Sequence, residues 1–445
     1  MRETLPGAEL GTGSEAIRPA LVLYLITIAL LNMVTGHNHR ISLTFLAGSG
    51  YGTTLAGGLD LISGGTARRQ IGFLLSGMVG LFGIWRLRLR PLRFRPLALW
   101  MAGLFLLWST LSVAWAVEPP LTLRRLGVLW LLVVTAAGVV SATPRRLVPA
   151  FVGLTAFAYV VAGLGAELAL GTFGPWRGGY RFAGTLYPTS QGINCAMVVL
   201  FGLWLLSGAT GRRRRLAGWF LAGIGLVFLA LTRARTPFAC VFGAAAILLV
   251  LRLRPGRRFV VAAAMLNVAI LVVLLYANGL IDLPFDALML GRGSRDVTTL
   301  NSRLPLWMLL GDYLRQRPML GYGYSGFMTA EHALQIGMIL EFGIAGAHSL
   351  YLEIMLGIGA IGLSLFVGLF LAAIGSSIRD SRFSSADSFF VSVLTFELLV
   401  GVLDSSLVFP SWRLLALVVI AVSCLSPRVP RRTMSAESRR GWSGR

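Results

Sequence analysis

The sequence predicts an all-α integral membrane protein, polytopic, with about 12 transmembrane helices and one long extracytoplasmic loop. Its 445 residues are 56% hydrophobic and 13% charged, and the mean hydropathy is +0.76. In soluble domains about a quarter of the residues are charged, so this composition excludes a soluble globule. The apolar residues also gather in runs near the ~20 residues that a helix needs to cross the hydrocarbon core. Both observations indicate a bundle of membrane helices.

Twelve apolar stretches have about the length of a membrane helix. They lie at about 19–35, 70–86, 97–116, 126–142, 148–170, 189–207, 216–232, 237–252, 259–279, 347–375, 387–404 and 410–426. Residues 41–64 are moderately apolar but rich in glycine. We expect an outer loop or a re-entrant segment there, because a further span would move the arginines of residues 86–95 to the outer side.

Short arginine runs alternate with connections that contain few arginines. The runs lie at 86–95, 144–146, 211–215, 252–258 and 379–382 and in the tail from Arg428. Because every run falls on the same side of the predicted bundle, the positive-inside rule makes that side, and both termini, cytoplasmic. The polar N-terminus is followed by an apolar segment without a small-residue cleavage site, so we predict an uncleaved first membrane helix.

This topology divides the chain into five parts. They are a cytoplasmic tail at 1–18, membrane segments at 19–279 with outer loops at 36–69 and 171–188, a long extracytoplasmic loop at 280–346, C-terminal membrane helices at 347–426, and a basic cytoplasmic tail at 427–445. The outer loops are the parts in which we expect extracytoplasmic chemistry.

The charge and the cysteines exclude several functional classes. A net charge of +22 would suggest nucleic acid in a soluble protein, but here most basic residues lie between apolar stretches, so we predict no nucleic-acid partner. Cys195, Cys240 and Cys424 all fall within apolar segments without a CxxC spacing, which indicates neither a disulfide framework nor a metal cluster. We predict no metal site and no cofactor.

Several arginines remain on the outer side, where the positive-inside rule disfavours them. The clearest are Arg233 and Arg235 in "LTRARTPFACVFGA" (231–244), a hairpin between two membrane helices. Thr236 and Pro237 have the residue types of an N-cap and a first helical position. The positive end of that helix dipole and its free N–H groups would lie beside both arginines, which suits a phosphate or diphosphate. The alternative is that each arginine snorkels to the interface.

Two further arginines repeat this pattern in the outer loops. Arg181 lies in a glycine-rich loop just before Pro188 and Thr189 open an inward helix; simple solvation is its alternative. Arg303 lies near the start of an amphipathic helix on which Leu304, Trp307, Met308 and Leu310 have the spacing of a membrane-surface face. For Arg303 an interfacial anchor and a ligand-binding role stand about equal.

His348 lies at the outer start of an inward-running helix. A neutral imidazole, with an ordinary pKa of about 6.5, can take a proton from a hydroxyl at neutral pH. The alternative is a structural or interfacial histidine.

Tyr351 shares the helical face of His348 and is a candidate to line an acceptor site. Glu353 is expected to face inward and bond to another helix, although carboxylates within membrane helices are functional candidates. His332 is expected on a solvated loop helix.

Residues 175–375 resemble the bacterial O-antigen ligase and O-antigen polymerase superfamily, which includes exopolysaccharide polymerases. The resemblance lies in the order of its motifs, which are R-x-x-G at Arg181 and Gly184, [ST]-R-[ST] at Arg235 and Thr236, R-x-x-x-W at Arg303 and Trp307, P-x-x-G-x-G at Pro318, Gly321 and Gly323, the histidine at His348, and G-x-x-G-L at Gly359, Gly362 and Leu363. The family shows H-N after the loop, whereas Ser349 stands here in place of the asparagine.

The resemblance implies a glycosyltransferase-C-like fold and a metal-independent transfer of glycan from a polyprenyl-diphosphate-linked saccharide to an acceptor sugar hydroxyl. It implies His348 as catalytic base. With the placement of the outer arginines described above, we predict Arg181, Arg233, Arg235 and Arg303 as ligands of the diphosphate, and Tyr351 and Trp307 as candidates for the acceptor site. The expected location is the bacterial inner membrane, with the active site facing outside. Expected partners are the donor, the acceptor glycan and the bilayer, with a flippase and a chain-length regulator as further candidates.

Two alternatives stay open at this point. An O-antigen ligase uses the same chemistry with a lipid A core as acceptor, whereas the basic composition and Ser349 slightly favour an exopolysaccharide polymerase. A transporter would also have many helices, but it would more often show repeated halves and broken helices near the midplane. We find no repeat between residues 1–220 and 221–445, and the charges gather at one face.

Overall fold

A computed structural model describes ten parts of the chain, which are residues 19–36, 67–87, 96–208, 211–251, 253, 257, 303–340, 343–344, 346–379 and 384–426. These parts form thirteen α-helices and contain no strand. The helices are α1 (Pro19–Gly36), α2 (Ala67–Arg86), α3 (Pro96–Leu111), α4 (Pro119–Ala142), α5 (Val148–Ala169), α6 (Pro188–Ser207), α7 (Arg212–Thr232), α8 (Arg235–Val250), α9 (Arg303–Gln316), α10 (Ala330–Leu340), α11 (Leu350–Arg379), α12 (Ser385–Gly401) and α13 (Trp412–Leu425). For these residues the all-α prediction is confirmed.

Six helical segments are long and apolar enough to cross a membrane. They are Pro19–Gly36, Pro119–Ala142, Arg145–Ala169, Pro188–Ser207, Arg212–Thr232 and Leu350–Ile378. Eleven of the twelve predicted stretches coincide with a helix. The twelfth, 259–279, lies outside the described residues, as do 41–64 and the first part of the long loop. A polytopic membrane protein is therefore supported, and the number of twelve spans stays a prediction.

Helix α6 lies at the centre of the bundle and packs against α5, α7, α8 and α12. Glycines allow the closest of these approaches. A Cβ on Gly202 of α6 would overlap the backbone of Ala222 on α7, and a Cβ on Gly225 would come within 3.0 Å of the Cys195 carbonyl oxygen. Small residues at such crossings let helix backbones come together where lipid provides no hydrophobic driving force.

Arg145 and Arg233 lie at opposite ends of the helix bundle. At one end of the bundle, the Arg145 guanidinium is paired with the buried carboxylate of Asp387 at 2.5 Å, next to the start of α12. Arg212 begins α7 at this same end, and Arg233 follows the opposite end of that helix. The positive-inside rule predicts that the Arg145 end is cytoplasmic and that the Arg233 end faces outside, and this orientation stays a prediction.

The orientation can be tested with two engineered cysteines in a cysteine-free background. Arg315 in α9 is exposed, with 82% of its side chain accessible, and Arg213 is exposed at the start of α7. We expect Arg315→Cys to react with a membrane-impermeant maleimide in cells with a permeabilised outer membrane. Arg213→Cys should react only after lysis. The reverse pattern would contradict the proposed orientation and move His348 to the cytoplasmic side.

Candidate functional site

Four arginines that the sequence singled out line one pocket. Arg181 comes from the loop after α5, Arg233 and Arg235 from the α7–α8 hairpin, and Arg303 from the start of α9. The pocket has a volume of ≈ 50 Å³, and its other lining residues are Thr189, Ala234, Thr236 and Pro237. None of these eight residues is acidic. The pocket is therefore a concentrated positive site formed by three separate parts of the chain.

The hairpin differs in one detail from the sequence prediction. Helix α8 begins at Arg235 with Ala234 as its N-cap, two residues before the predicted cap at Thr236. This N-cap makes no side-chain hydrogen bond. The prediction of a cap at Thr236, which relied on the threonine hydroxyl, was therefore wrong. Arg235 is thus the first residue of the helix, and the free N–H groups of its first turn lie at the pocket. Thr189, in the first turn of α6, lines the same pocket, so two positive helix ends meet there.

Arg235 contains buried donors without a partner. Its Nε and Nη2 atoms are shielded from solvent and make no hydrogen bond to any described residue. Leaving a buried donor on a charged group unbonded costs ~1–3 kcal/mol or more. An anion in the pocket would satisfy these donors, and a phosphate oxygen matches the fork of a guanidinium.

The backbone of Arg233 is in the left-handed region, with φ +50°. It is the C-cap of α7, and its N–H donates to the Ala230 carbonyl over 3.0 Å. Bulky residues rarely adopt this conformation outside turns and strained functional sites. Here it reverses the chain within two residues and keeps both hairpin arginines at the pocket.

The loop that contains Arg181 is held against the hairpin and against α5. The Arg181 Nε donates to the Thr232 carbonyl over 3.1 Å, and the Phe182 N–H donates to the Leu231 carbonyl over 2.9 Å. From α5, the buried Glu167 accepts the N–H groups of Ala183 and Gly184, over 2.9 and 2.7 Å.

Gly184 has φ +59°, and a Cβ there would come within 2.5 Å of the Gly163 Cα. The last position of the R-x-x-G motif therefore has a structural reason to be glycine.

His348 also has a left-handed backbone, with φ +53°. Part of its surface is accessible, but neighbouring protein atoms displace much of the water around the imidazole. This desolvation lowers the pKa of His348 below its ordinary value, the positive charge of Arg303 lowers it further, and Asp404 acts in the opposite direction. The imidazole is therefore within electrostatic range of both the arginine pocket and a carboxylate, and it is neutral at pH 7.

Trp307 and Tyr351, the acceptor-site candidates, both use their polar atoms in protein contacts. The Trp307 indole N–H donates to the Ala347 carbonyl over 2.9 Å. The Tyr351 hydroxyl donates to the Leu398 carbonyl on α12 over 2.8 Å. Both residues are half-buried. Tyr351 follows His348 closely in the chain, and Trp307 contacts the adjacent Ala347. Their role toward an acceptor stays a prediction, and it would have to use their ring faces.

Helix α9 matches the predicted membrane-surface face only in part. Leu304 and Met308 are exposed, as a face toward the bilayer requires, whereas Leu310 is buried together with Leu306. Leu306 and Leu310 pack onto a cluster that includes Tyr322 and Phe327. The contact of Leu304 and Met308 with the bilayer stays a prediction.

His332 likewise is not simply solvated. Its ring stacks on Phe327 with centroids 4.8 Å apart, and its Nδ1 lies 2.7 Å from the Phe327 carbonyl oxygen. It belongs to an aromatic cluster with Tyr313, Tyr322 and Phe327.

Helix α11, which begins at Leu350, is broken at Ile358 and Gly359, about two turns after its start. Ile358 and Gly359 have non-helical backbone angles, and Gly359 has φ +70° and ψ −175°. The outer loop supplies partners at this break, because the Ala360 N–H donates to the Pro318 carbonyl over 2.9 Å and the Tyr322 N–H donates to the Leu356 carbonyl over 2.8 Å. The P-x-x-G-x-G and G-x-x-G-L motifs, far apart in sequence, therefore pack directly against each other.

The structure adds an acidic group that the sequence prediction missed. Asp404, between α12 and α13, carries a negative charge that raises the pKa of both Arg303 and His348 against the larger opposing effects. Arg413 is paired with Glu397 at 2.6 Å and with Asp404 at 3.4 Å. Charged residues inside or beside apolar spans, as in "VLDSSLVFPSWR" (402–413), were the signal that could have identified this group.

Comparison with known proteins identifies part of the chain. Residues 220–367 match the family described as O-antigen ligase. The match extends from within α7 to within α11 and includes Arg233, Arg235, Arg303 and His348, whereas Arg181 precedes it. It confirms the resemblance seen in the motif order. No curated protein matches the chain.

Proposed function

We propose, for a chain whose residues 220–367 belong to the O-antigen ligase family, that it transfers glycan units from a polyprenyl-diphosphate-linked saccharide to an acceptor sugar hydroxyl. The reaction takes place at the extracytoplasmic face of the bacterial inner membrane. The donor, the acceptor glycan and the bilayer are then its partners, and a flippase would deliver the donor to this face.

One observation carries the proposal, namely the four-arginine pocket, whose Arg303 acts electrostatically on His348. Three separate segments bring positive charge to a single small site, and Arg235 has buried donors that no described residue satisfies. Two helix N-termini add their partial positive charge. This arrangement suits a diphosphate better than a carboxylate, because a diphosphate offers several oxygens to several guanidinium groups at once.

The chemistry follows from the charges. The acceptor oxygen forms a bond to C1 of the donor sugar while the bond from C1 to the diphosphate oxygen breaks. The proton of the acceptor hydroxyl moves to the neutral His348 imidazole. Negative charge builds up on the departing diphosphate, and the arginines, which are fixed before the reaction, stabilise that charge without a metal ion. The products are the extended glycan and a free polyprenyl diphosphate.

Two acceptors fit this mechanism. A polymerase adds the donor glycan to another lipid-linked chain, and a ligase adds it to a lipid A core. We favour the polymerase, acting in exopolysaccharide or O-antigen synthesis. Purified polymerase that receives only the lipid-linked donor should form longer glycan chains. Transfer that requires an added lipid A core would assign the protein as a ligase.

Transport of the lipid-linked glycan is the non-enzymatic alternative. The break in α11 is a feature that transporters also use. Here, however, the outer loop occupies the break through two backbone hydrogen bonds, and the family match favours glycan transfer.

The diphosphate hypothesis predicts a selective effect of the hairpin arginine. Arg235→Ala should lower kcat/KM for the lipid-linked donor, because it removes a charge-assisted contact worth ~1.5–3 kcal/mol, or about 10- to 150-fold. Arg235→Lys should recover only part of this, since an ammonium lacks the planar fork. The measurement is polymer or ligated product formed by purified protein at varied donor concentration.

Arg213→Ala is the matched control, because it removes an arginine from the opposite end of the neighbouring helix. It should leave donor kinetics unchanged. Wild-type kcat/KM in a folded Arg235→Ala variant would refute the diphosphate site.

A further inference from the structure

The backbone at His348 needs an external constraint. Its φ of +53° is uncommon for a residue with a side chain. Such conformations cost of order 1–3 kcal/mol and persist when the surrounding structure holds them. The residues on both sides of the histidine, Ala347 and Ser349, are buried, so the constraint has to come from protein groups.

Glu353 is bonded to both neighbours of His348. Its side chain, in the first turn of α11, accepts the Ala347 N–H at Oε2 over 2.7 Å. Its own backbone N–H donates to the Ser349 carbonyl over 2.9 Å. The residue is 3% exposed, so water does not compete with these bonds. The two contacts bracket the left-handed residue from both sides.

Trp307 completes the constraint from another helix. Its indole N–H donates to the Ala347 carbonyl over 2.9 Å. Both polar groups of Ala347 are therefore bonded, one to α11 and one to α9. Because α9 also begins with Arg303, this bond connects the histidine segment with the helix that supplies a pocket arginine.

We propose that Glu353 is a positioning residue for the transfer reaction. With Trp307 it holds Ala347, so the His348 segment keeps a fixed position relative to the helix that begins with the pocket residue Arg303. Glu353 acts through hydrogen-bond acceptance and exchanges no proton with the substrate. This role rests on the function proposed above, in which His348 is the base.

The test is a pair of substitutions at one position. Glu353→Gln keeps an oxygen that can accept the Ala347 N–H, whereas Glu353→Met has a similar volume and no such acceptor. We expect Glu353→Met to lower kcat on the order of 10²-fold, because small misplacements of catalytic groups have effects of that size. The donor KM should stay near the wild-type value. Glu353→Gln should restore most of the kcat.

Trp307→Phe provides a second variant if Glu353→Met does not fold. It removes only the donor to the Ala347 carbonyl, so it too should lower kcat while leaving the KM values for donor and acceptor near wild type. Since both side chains act on the same residue, the double variant should lose less than the sum of the two single effects. A raised acceptor KM with unchanged kcat would instead assign Trp307 to the acceptor site and overturn its positioning role.

Asp387→Ala is the matched control. Asp387 is also a buried carboxylate that accepts a backbone N–H just before a helix, in this case that of Ser384 over 2.6 Å, but it lies at the other end of the bundle. It should lower thermal stability and leave kcat per folded molecule unchanged.

The outcomes separate the two proposals. Glu353→Met with wild-type kcat would overturn the positioning role. Equal loss in Glu353→Gln and Glu353→Met would also overturn it, since the charge rather than the acceptor would then matter. Absence of glycan transfer by the wild-type protein, with a lipid-linked donor and either acceptor, would instead refute the proposed function itself.

Discussion

Replacing His348 with glutamine should reduce glycan transfer by ~10²–10⁴-fold, the range that removal of a general base commonly costs. Glutamine can still form a hydrogen bond with an acceptor hydroxyl, but it cannot take up the proton. Donor binding should stay near wild type, because the diphosphate contacts come from the arginines. The measurement is product formation by purified protein in detergent, with donor binding scored separately.

The pH dependence adds an independent check on this base. Desolvation and the positive charge of Arg303 lower the pKa of His348, while Asp404 acts in the opposite direction, so the neutral form predominates at neutral pH. The rate should therefore be flat through neutral pH and fall only as the pH drops below about 6.5, the ordinary histidine value. In His348→Gln this acid limb should disappear.

His332→Gln is the control for loss of an imidazole on the same side. His332 packs in the aromatic cluster with Tyr313, Tyr322 and Phe327, so its replacement should affect stability and leave the specific activity of folded protein near wild type. If His348→Gln turned over at the wild-type rate, the histidine would at most orient the substrate. Asp404, whose charge acts on His348, would then be the first alternative base.

Gly359→Ala should strongly reduce the yield of folded protein. The angles of Gly359, φ +70° and ψ −175°, belong to a region that is essentially limited to glycine. A Cβ at this position would also overlap the carbonyl oxygen of Met319 in the outer loop. We expect a loss of stability of about 3 kcal/mol or more, because backbone strain and steric overlap act together. Thermal unfolding of the purified protein measures it.

Gly375→Ala in the same helix provides a direct comparison. A Cβ there meets no atom within 4 Å, and its φ is not positive. Alanine favours a helix over glycine by ~1 kcal/mol, so this variant should be as stable as wild type or slightly more stable. Similar stability for Gly359→Ala and Gly375→Ala would contradict the described break in α11.

The helices could be predicted from the sequence because the bilayer imposes one length and one composition on every span. The pocket arginines could be predicted because arginines in connections assigned to the outer side violate the positive-inside rule, and Arg233 and Arg235 stand out in a short hairpin. The start of α8 could not be predicted, since the cap at Ala234 uses no side chain. Composition cannot reveal a helix end that only the backbone defines.

Contacts between distant segments explain the remaining misses. The sequence marks Gly359 as part of a motif, but only the structure shows that the Pro318 segment packs against it. Glu353 was expected to bond to another helix, and instead its carboxylate bonds back to Ala347. The electrostatic effect of Asp404 on His348 depends on the packing of α12 and α13, which no local pattern encodes.

The break in α11 has a consequence for the biogenesis of the protein. The helical half before it, residues 350–357, is only about 12 Å long, too short to cross a bilayer alone, so it can span only together with the residues up to Ile378. The Pro318 segment leaves the ribosome before this span, and it can occupy the break only once the span has formed. Asp404, whose charge acts on His348, is synthesised later still. We therefore expect chains truncated before α12 to contain the pocket arginines and His348 but to lack this carboxylate.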